Sequence, residues 1–139
     1  MSKEIKNGPY EEYHQNGQLA VKSFYKDGEL DGPYEEYHQN GQLAVKSFYK
    51  DGELDGPHEE YYKNGKLRIK CTCKDGKLDG PYEIYHKSGK LAEKTFYKDD
   101  KEITEEEYNR FTQNETTPVK VATHSRTIKA LREKEANQR

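Results

Sequence analysis

A tandem repeat of 24 residues is the feature that most restricts how this chain can fold. Residues 8–31 recur without a change at 32–55, and two further copies, at 56–79 and 80–103, each match the second copy at 14 of 24 positions. Tandem duplication is tolerated where each unit packs mainly on its neighbours, as in solenoids and open sheets. We therefore expect a fold that grows along one axis by adding one small unit after another.

Two turn signals divide each copy into strands. An Asn-Gly or Ser-Gly pair lies near the middle of each copy, and an Asp-Gly pair lies near the end of the first three copies. Such pairs favour tight β-hairpins, because both central residues of a type I′ turn need a positive φ angle. Between the turns, Tyr, Phe, Val and Leu are interleaved with Lys and Glu, as in strands. A Gly-Pro pair opens each copy, excludes a helix there and predicts a bulge or kink in the first strand.

The composition allows only a thin core. Hydrophobic residues make up 30% of the 139 residues, charged residues make up 36%, and the mean hydropathy is -1.35. The 24 basic residues nearly balance the 26 acidic ones, so no overall field indicates nucleic acid or membrane. We predict a mainly β fold, a single-layer antiparallel β-meander of four hairpin repeats with about eight strands, followed by a C-terminal helical cap and tail.

Three segments follow from these patterns. Residues 1–103 are predicted to form the repeat array. Residues 104–113 are predicted to form a capping helix, because Thr104 and Glu107 have the spacing of a capping box. Residues 114–139 are expected to be a linker and a basic helical tail, since they contain a proline at 118 and carry, from there on, six basic and two acidic residues, a net charge of +4.

The pattern Gly-Pro-Tyr-Glu-x-Tyr-x-x-Asn-Gly-x-Leu, ending in Tyr-Lys-Asp-Gly-x-Leu-Asp-Gly, resembles the variant MORN repeat of bacterial proteins, notably the YwqK-like antitoxins. The resemblance covers residues 8 to about 103. It implies a curved antiparallel sheet of hairpins that holds protein partners, and MORN proteins have also been linked to membrane lipids and to self-association. His58 and the stretch Cys71-Thr72-Cys73 depart from the pattern and thin the aromatic ladder in the third copy. Asp100 replaces a turn glycine and Thr104-Glu105 replaces the next Gly-Pro pair, so the hairpin pattern is expected to stop there and a helix to begin.

The repeated tyrosines are the candidate partner-binding residues. A tyrosine buries a large area at low entropic cost and keeps a hydrogen-bonding tip. A single-layer sheet has no second layer to cover both faces, so one whole ladder is expected to stay exposed, while the alternative role, holding the sheet together, stays open for each tyrosine. The strand register that decides whether Tyr34 and Tyr37 share a face is also left open. The candidate residues are Tyr10, Tyr13, Tyr34, Tyr37, Tyr61, Tyr82 and Tyr85.

Other chemistry-bearing residues argue against catalysis. Adjacent acidic pairs such as Glu35-Glu36 recur in three copies and point to opposite faces of a strand, so they predict a solvated edge rather than paired catalytic carboxylates. Cys71 and Cys73 are expected to be small apolar fillers. A repeated surface feature is expected of His14, His38 and His86. We predict no catalytic residue, cofactor, metal site or small-molecule substrate, and therefore no enzyme.

An interaction module is the function that these patterns favour. The leading hypothesis is an antitoxin or immunity-type protein that binds and occludes a partner protein, namely a toxin. The alternatives are a peripheral lipid-binding MORN protein, which would use the basic tail, and a self-assembling scaffold, which would associate through terminal strands or the C-terminal helix. Nucleic acid is not expected, and the lack of an apolar stretch near residue 1 predicts a cytoplasmic protein. The candidate basic-tail residues are Lys120, Arg126, Lys129 and Arg132.

Overall fold

The structure is a computed structural model that describes residues 5–121, with side chains described for residues 5–113. One twelve-stranded sheet lies in the unit that ends at Ile103, and one helix lies in a separate unit that begins at Thr104. The six-residue strands that open the repeats are β1 (Gly8–Tyr13), β4 (Gly32–Tyr37), β7 (Gly56–Tyr61) and β10 (Gly80–Tyr85). The eight-residue strands are β2 (Leu19–Lys26), β5 (Leu43–Lys50), β8 (Leu67–Lys74) and β11 (Leu91–Lys98). The short strands are β3 (Glu29–Leu30), β6 (Glu53–Leu54), β9 (Lys77–Leu78) and β12 (Lys101–Ile103).

The strands follow one another across the sheet in chain order. The path is β1-β2-β4-β5-β7-β8-β10-β11-β12, every pairing is antiparallel, and β3, β6 and β9 pair with β2, β5 and β8. Each repeat therefore contacts mainly the repeats beside it. The predicted single-layer antiparallel meander of four hairpin repeats is confirmed.

The Gly-Pro pair produces the predicted kink. Strands β3 and β4 both run along β2, where Leu30 pairs with Tyr25 and Glu35 pairs with Lys22. The four residues 31–34 therefore lie opposite only two residues of β2. Gly32 has a φ of 118°, a value that favours glycine. Because this kink splits each long strand in two, the sheet has twelve strands rather than about eight.

The two kinds of turn differ, although the sequence predicted type I′ for both. Asp51 and Gly52 have φ angles of 49° and 85°, as a type I′ turn requires. In the Asn-Gly turn, only Gly41 has a positive φ, and its N–H donates to the carbonyl of His38 at 2.9 Å. This is a type I turn followed by a left-handed glycine. The Asn40 side chain favours it by accepting the backbone N–H of Gln42 at 2.9 Å.

The last hairpin forms although Asp100 replaces its turn glycine. Asp99 and Asp100 have φ angles of 49° and 70°, and β12 pairs with β11 beyond them. The physical reason is a pair of hydrogen bonds that holds Asp100 in the left-handed region. Its carboxylate accepts the N–H of Leu78 at 2.7 Å, and its own N–H donates to the Leu78 carbonyl at 2.9 Å.

The helix α1 (Glu105–Val121) begins as predicted but continues farther. Thr104 Oγ1 accepts the N–H of Glu107 at 3.0 Å, and the Glu107 carboxylate accepts the N–H of Thr104 at 2.9 Å, which is a capping box. Helical backbone then runs through 114–121, where the sequence predicted a linker. No helix within residues 5–121 has the length and apolar character of a membrane span.

The core is a thin line of small side chains along the sheet. Ser23 and Ser47 are each 1% exposed, and Cys71 occupies the same repeat position and is also buried. This repeat position holds small residues because a side-chain ring of the next repeat lies close to it, as the contact of Ser47 with His58 shows. The neighbouring Cys73 and, in the last repeat, Phe96 complete the buried set of apolar side chains among the described residues.

Candidate binding surface

The candidate tyrosines lie on two opposite faces of the sheet. Tyr34 donates its hydroxyl to Glu36 at 2.6 Å, whereas Tyr37 donates to Glu35 at 2.5 Å. Residues two apart on a strand share a face, so Tyr34 and Tyr37 point in opposite directions. The single candidate ladder is therefore two rows. One row is Tyr10, Tyr34 and Tyr82, and the other is Tyr13, Tyr37, Tyr61 and Tyr85.

The first row belongs to what we call the ring-pair face. Each of its tyrosines meets a tyrosine of the adjacent strand edge-to-face, a favoured aromatic geometry. The centroid distances are 5.8 Å for Tyr10–Tyr25, 5.4 Å for Tyr34–Tyr49 and 5.7 Å for Tyr82–Tyr97. In the third repeat, His58 and Cys73 occupy these two positions. The row of ring pairs is therefore interrupted in the third repeat.

A hydrogen-bonded series replaces the missing ring pair. Ser47 Oγ lies 2.6 Å from His58 Nδ1, and His58 Nε2 lies 2.9 Å from Glu60 Oε2. Arg68 also contacts the Glu60 carboxylate. Sequence order gave no signal for this Ser-His-Glu arrangement, because its members come from two repeats. With Ser47 only 1% exposed, its hydroxyl is enclosed, and the series ties the second repeat to the third.

Ser47 and Ser23 offer a matched test of this tie. Ser23 holds the same position one repeat earlier, but its Oγ has no hydrogen-bond partner among the described residues. We expect Ser47→Ala to lower the free energy of unfolding by about 1 kcal/mol, since it leaves a half-buried imidazole nitrogen unpaired. Ser23→Ala should change it by less than about 0.5 kcal/mol or raise it, because no bond is lost. Urea denaturation of both variants measures the difference, and equal losses would contradict this assignment.

Both cysteines are buried and form no disulfide bond with each other, as expected of small apolar fillers. Burial raises the pKa of the Cys71 thiol to about 12, so it stays protonated and unreactive at neutral pH. Among the residues that the structure describes, no three His, Cys, Asp or Glu side chains come together as metal ligands.

The opposite face carries a continuous ladder of alternating charge, and we call it the charge-ladder face. Glutamate and lysine oppose one another from β1 to β11, so every lysine except the last has a glutamate on both sides. Opposite charges directly across strands each contribute about 0.2 to 1 kcal/mol. Sequence reasoning missed this ladder, because it appears only once the strands are paired. Its members in order are Glu11, Lys22, Glu35, Lys46, Glu59, Lys70, Glu83 and Lys94.

The acidic pairs therefore make contacts on both faces of the sheet, whereas the sequence predicted only a solvated edge. Glu35 lies on the charge-ladder face, opposite Lys22 and Lys46, and accepts the hydroxyl of Tyr37. Glu36 lies on the ring-pair face and accepts the hydroxyl of Tyr34. The two carboxylates of a pair point to opposite faces, as expected, and in the first two repeats each of them accepts a tyrosine hydroxyl.

A β-bulge adds leucines to the second tyrosine row. The pairing shifts between Glu36 and Tyr37, so Ala44 is an extra residue and Leu43 stands opposite Tyr37. Alternation along β5 would have placed Leu43 with Val45 on the ring-pair face, which is wrong because the bulge intervenes. The same shift occurs in all four repeats. It builds a Tyr-Leu stripe on the charge-ladder face, consisting of Tyr13, Tyr37, Tyr61 and Tyr85 with Leu19, Leu43, Leu67 and Leu91.

His14 and His38 hold this stripe together, whereas His86 is exposed, as the sequence predicted for all three. Nε2 of His14 donates to the Tyr37 carbonyl at 2.8 Å, and Nε2 of His38 lies 2.9 Å from the Tyr61 carbonyl. In the third repeat Tyr62 replaces the histidine, and its hydroxyl donates to the Tyr85 carbonyl at 2.6 Å. Each tie crosses from one repeat to the next. The spacing of the stripe tyrosines is thereby fixed at two strand widths, about 10 Å.

The stripe phenols resist ionisation. A hydrogen bond to Glu35, together with burial, raises the pKa of Tyr37 to about 12, and burial together with a hydrogen bond to Glu59 raises that of Tyr61 to about 12. Raised phenol pKa values stabilise the fold fully below pH 10, and the contribution is lost as the pH rises from 10 towards 12. We expect the phenols of Tyr37 and Tyr61, followed by their own ring resonances, to ionise near pH 10 in denaturant and at clearly higher pH in the folded protein. Coincident titrations would contradict the hydrogen-bonded row.

The candidate basic tail lies almost wholly outside the described residues. Arg126, Lys129 and Arg132 fall beyond residue 121, and Lys120 lies in α1, where only the backbone is described.

The repeats of this chain match a known family. Four segments, residues 6–27, 30–51, 54–75 and 78–99, match the model of the MORN repeat variant, and together they cover well over half of the 139 residues. MORN repeats are generally modules for interaction with proteins or membranes. No curated protein matches the chain. With four matched repeats stacked into one sheet, the chain belongs to the MORN repeat variant family.

Proposed function

We propose that this chain is a non-enzymatic protein-binding module whose Tyr-Leu stripe receives a partner protein. The observation that carries the proposal is the continuity of the stripe through all four repeats, whereas the ring-pair row is interrupted at His58. At its two ends the stripe is well exposed, with Tyr13 60% and Leu91 50% exposed. An apolar stripe of this kind, bordered by charges, has the layout of a protein interface with an apolar centre and a polar rim.

Preorganisation supports binding at this stripe. Tyr37 is held by Glu35 through its hydroxyl and by His14 through its backbone carbonyl, so its ring loses little freedom when a partner arrives. Tyrosine rings fixed in this way are typical of residues that dominate binding energy. The alternating Glu-Lys ladder beside them offers both signs of charge, which favours a polar protein rim over a surface of one sign.

We further propose that the partner is a toxin and that the chain acts as a cytoplasmic antitoxin or immunity-type protein. The support is the resemblance of the repeat motif to bacterial antitoxins, and the fact that occlusion of a toxic surface needs no chemistry in the occluding protein. Among the described residues, Ser47 is the serine that lies in series with a histidine and a glutamate, and it is only 1% exposed, which supports a role without catalysis.

Affinity capture of the full chain from its native host, followed by genetics, tests the toxin hypothesis. We expect one protein to co-purify in a fixed ratio. Loss of this chain should then harm growth only while the gene for the captured protein is present. A chain whose loss is equally harmful in both backgrounds would contradict the antitoxin role, and the absence of any captured protein would contradict the binding role.

Paired tyrosine variants test the stripe itself. We expect Tyr37→Ala combined with Tyr61→Ala to weaken binding of the captured protein by at least about tenfold, because two central rings of the stripe are removed. The matched control, Tyr34→Ala with Tyr82→Ala, removes two rings from the ring-pair face and should leave affinity nearly unchanged. Circular dichroism would verify that both variants remain folded. Weaker binding by the control variant than by the stripe variant would place the partner on the ring-pair face and contradict the proposal.

A further inference from the structure

The junctions between repeats follow one rule. At the first junction, Val21 and Lys22 of β2 pair with Glu36 and Glu35 of β4. The second junction repeats this arrangement with Val45 and Lys46, and the third uses Ile69 and Lys70. In every case an aliphatic residue followed by lysine forms the strand edge that receives the next repeat. The lysine meets a glutamate on the charge-ladder face.

The outer edge of β1 has the same chemistry as the edge that β4 uses for this junction. The two strands have the identical sequence Gly-Pro-Tyr-Glu-Glu-Tyr, so Glu11 and Glu12 stand where Glu35 and Glu36 stand in β4. Whereas β4 has β2 at this edge, no strand within the described residues pairs with the outer edge of β1. An open edge of this kind is a template for another strand, and β4 shows which strand fits it.

A second copy of this chain is a poor candidate for that strand. The other end of the sheet offers β11, where the aliphatic junction residue is replaced by Glu93, while Lys94 is retained. In a head-to-tail stack, Glu93 would lie directly opposite Glu12, and like charges in that position are destabilising. Two copies of β1 laid edge to edge would likewise bring their Glu11-Glu12 pairs together.

We propose that the outer edge of β1 accepts an antiparallel strand from a different protein, one that carries an aliphatic residue followed by lysine. The lysine lies opposite Glu11 on the charge-ladder face, and the aliphatic residue lies opposite Glu12, as Lys22 and Val21 do opposite β4. This interaction goes beyond the proposed function, because it uses backbone groups and charges at the sheet edge rather than the Tyr-Leu stripe. The Tyr37→Ala, Tyr61→Ala variant should therefore still bind such a strand.

Two peptides from the chain itself test the proposal. A synthetic peptide of residues 19–26, the β2 sequence, should shift the amide resonances of Tyr10–Tyr13 in the full chain. Added salt should weaken the effect, because a Lys-Glu contact contributes. The peptide of residues 91–98, the β11 sequence, keeps the lysine but has glutamate in place of valine, and it should bind at least about tenfold more weakly. Equal binding by both peptides, or shifts outside β1, would overturn the proposal.

A charge exchange and a self-association assay complete the test. The β2 peptide with Lys22→Glu should fail to bind the natural chain but bind a Glu11→Lys chain, which restores the opposite pair. In sedimentation, the natural chain should keep one molar mass as its concentration rises, whereas a Glu93→Val chain should associate. If the natural chain associates as its concentration rises, or if the Glu93→Val chain does not associate, the inference that this edge receives a strand from a different protein would be contradicted.

Discussion

Removal of residues 22–45 leaves a folded protein with three repeats, whereas removal of residues 22–46 destroys the repeat array. The first deletion takes out 24 residues and joins Val21 to Lys46, which restores the sequence of an intact β5. The second deletion takes out one residue more and leaves the strand short by Lys46. A shift of one residue moves every side chain on one side of the junction to the opposite face. The buried line and the charge ladder cannot then both form.

Denaturation in urea, followed by far-ultraviolet circular dichroism, measures this difference. The 24-residue deletion should keep a cooperative transition with a lower free energy of unfolding, since one repeat and one junction are lost. The 25-residue deletion should show no cooperative transition. Two variants of similar stability would contradict a sheet in which the repeat period fixes which face each side chain occupies.

Ser23→Leu should lower the free energy of unfolding by about 1 to 3 kcal/mol, a large effect for a change of one small residue. Ser23 is 1% exposed, and its hydroxyl has no partner among the described residues, so the loss is purely steric. A one-layer sheet can make room for a larger side chain at this position only by moving the ring of the next repeat or the strand itself.

The fourth repeat supplies the matched control. Thr95 occupies the position of Ser23, but no further MORN repeat follows it in the described residues, and it is only half-buried. Thr95→Leu should therefore change stability by less than about 0.5 kcal/mol. Thermal denaturation of both variants decides the matter. Similar losses of stability in the two variants would show that the ring of the next repeat does not limit the size of the side chain at this position.

Local patterns in the sequence sufficed for the strands, the Asp-Gly turns, the Gly-Pro kink and the capping box at Thr104. Each of these depends on residues close together in the chain, such as Asp51 with Gly52, and the repeat period then reproduces it along the sheet. The conformation of the Asp100 turn could not be derived from local residues, because a hydrogen bond from a distant residue, Leu78, compensates for the missing glycine.

The sequence predicted the candidate site only in part, because local sequence patterns do not determine the register between paired strands. The tyrosines were found, but whether Tyr34 and Tyr37 share a face depended on the place of the bulge, which lies in β5 at Ala44 and leaves the alternation along β4 intact. The charge ladder, the histidine ties and the Ser47–His58 contact join residues of different repeats. A search that paired residues at the spacing of one repeat could have found the ladder, since Glu and Lys keep their positions in every copy.

Hydroxyl-radical footprinting of the complex with the captured partner tests whether the partner binds at the Tyr-Leu stripe, because it reports on single tyrosine side chains. The partner should protect Tyr61 and Tyr85 on the charge-ladder face and leave the oxidation of Tyr82 and Tyr97 on the ring-pair face unchanged. Protection of Tyr82 and Tyr97 with no change at Tyr61 and Tyr85 would contradict binding at the stripe.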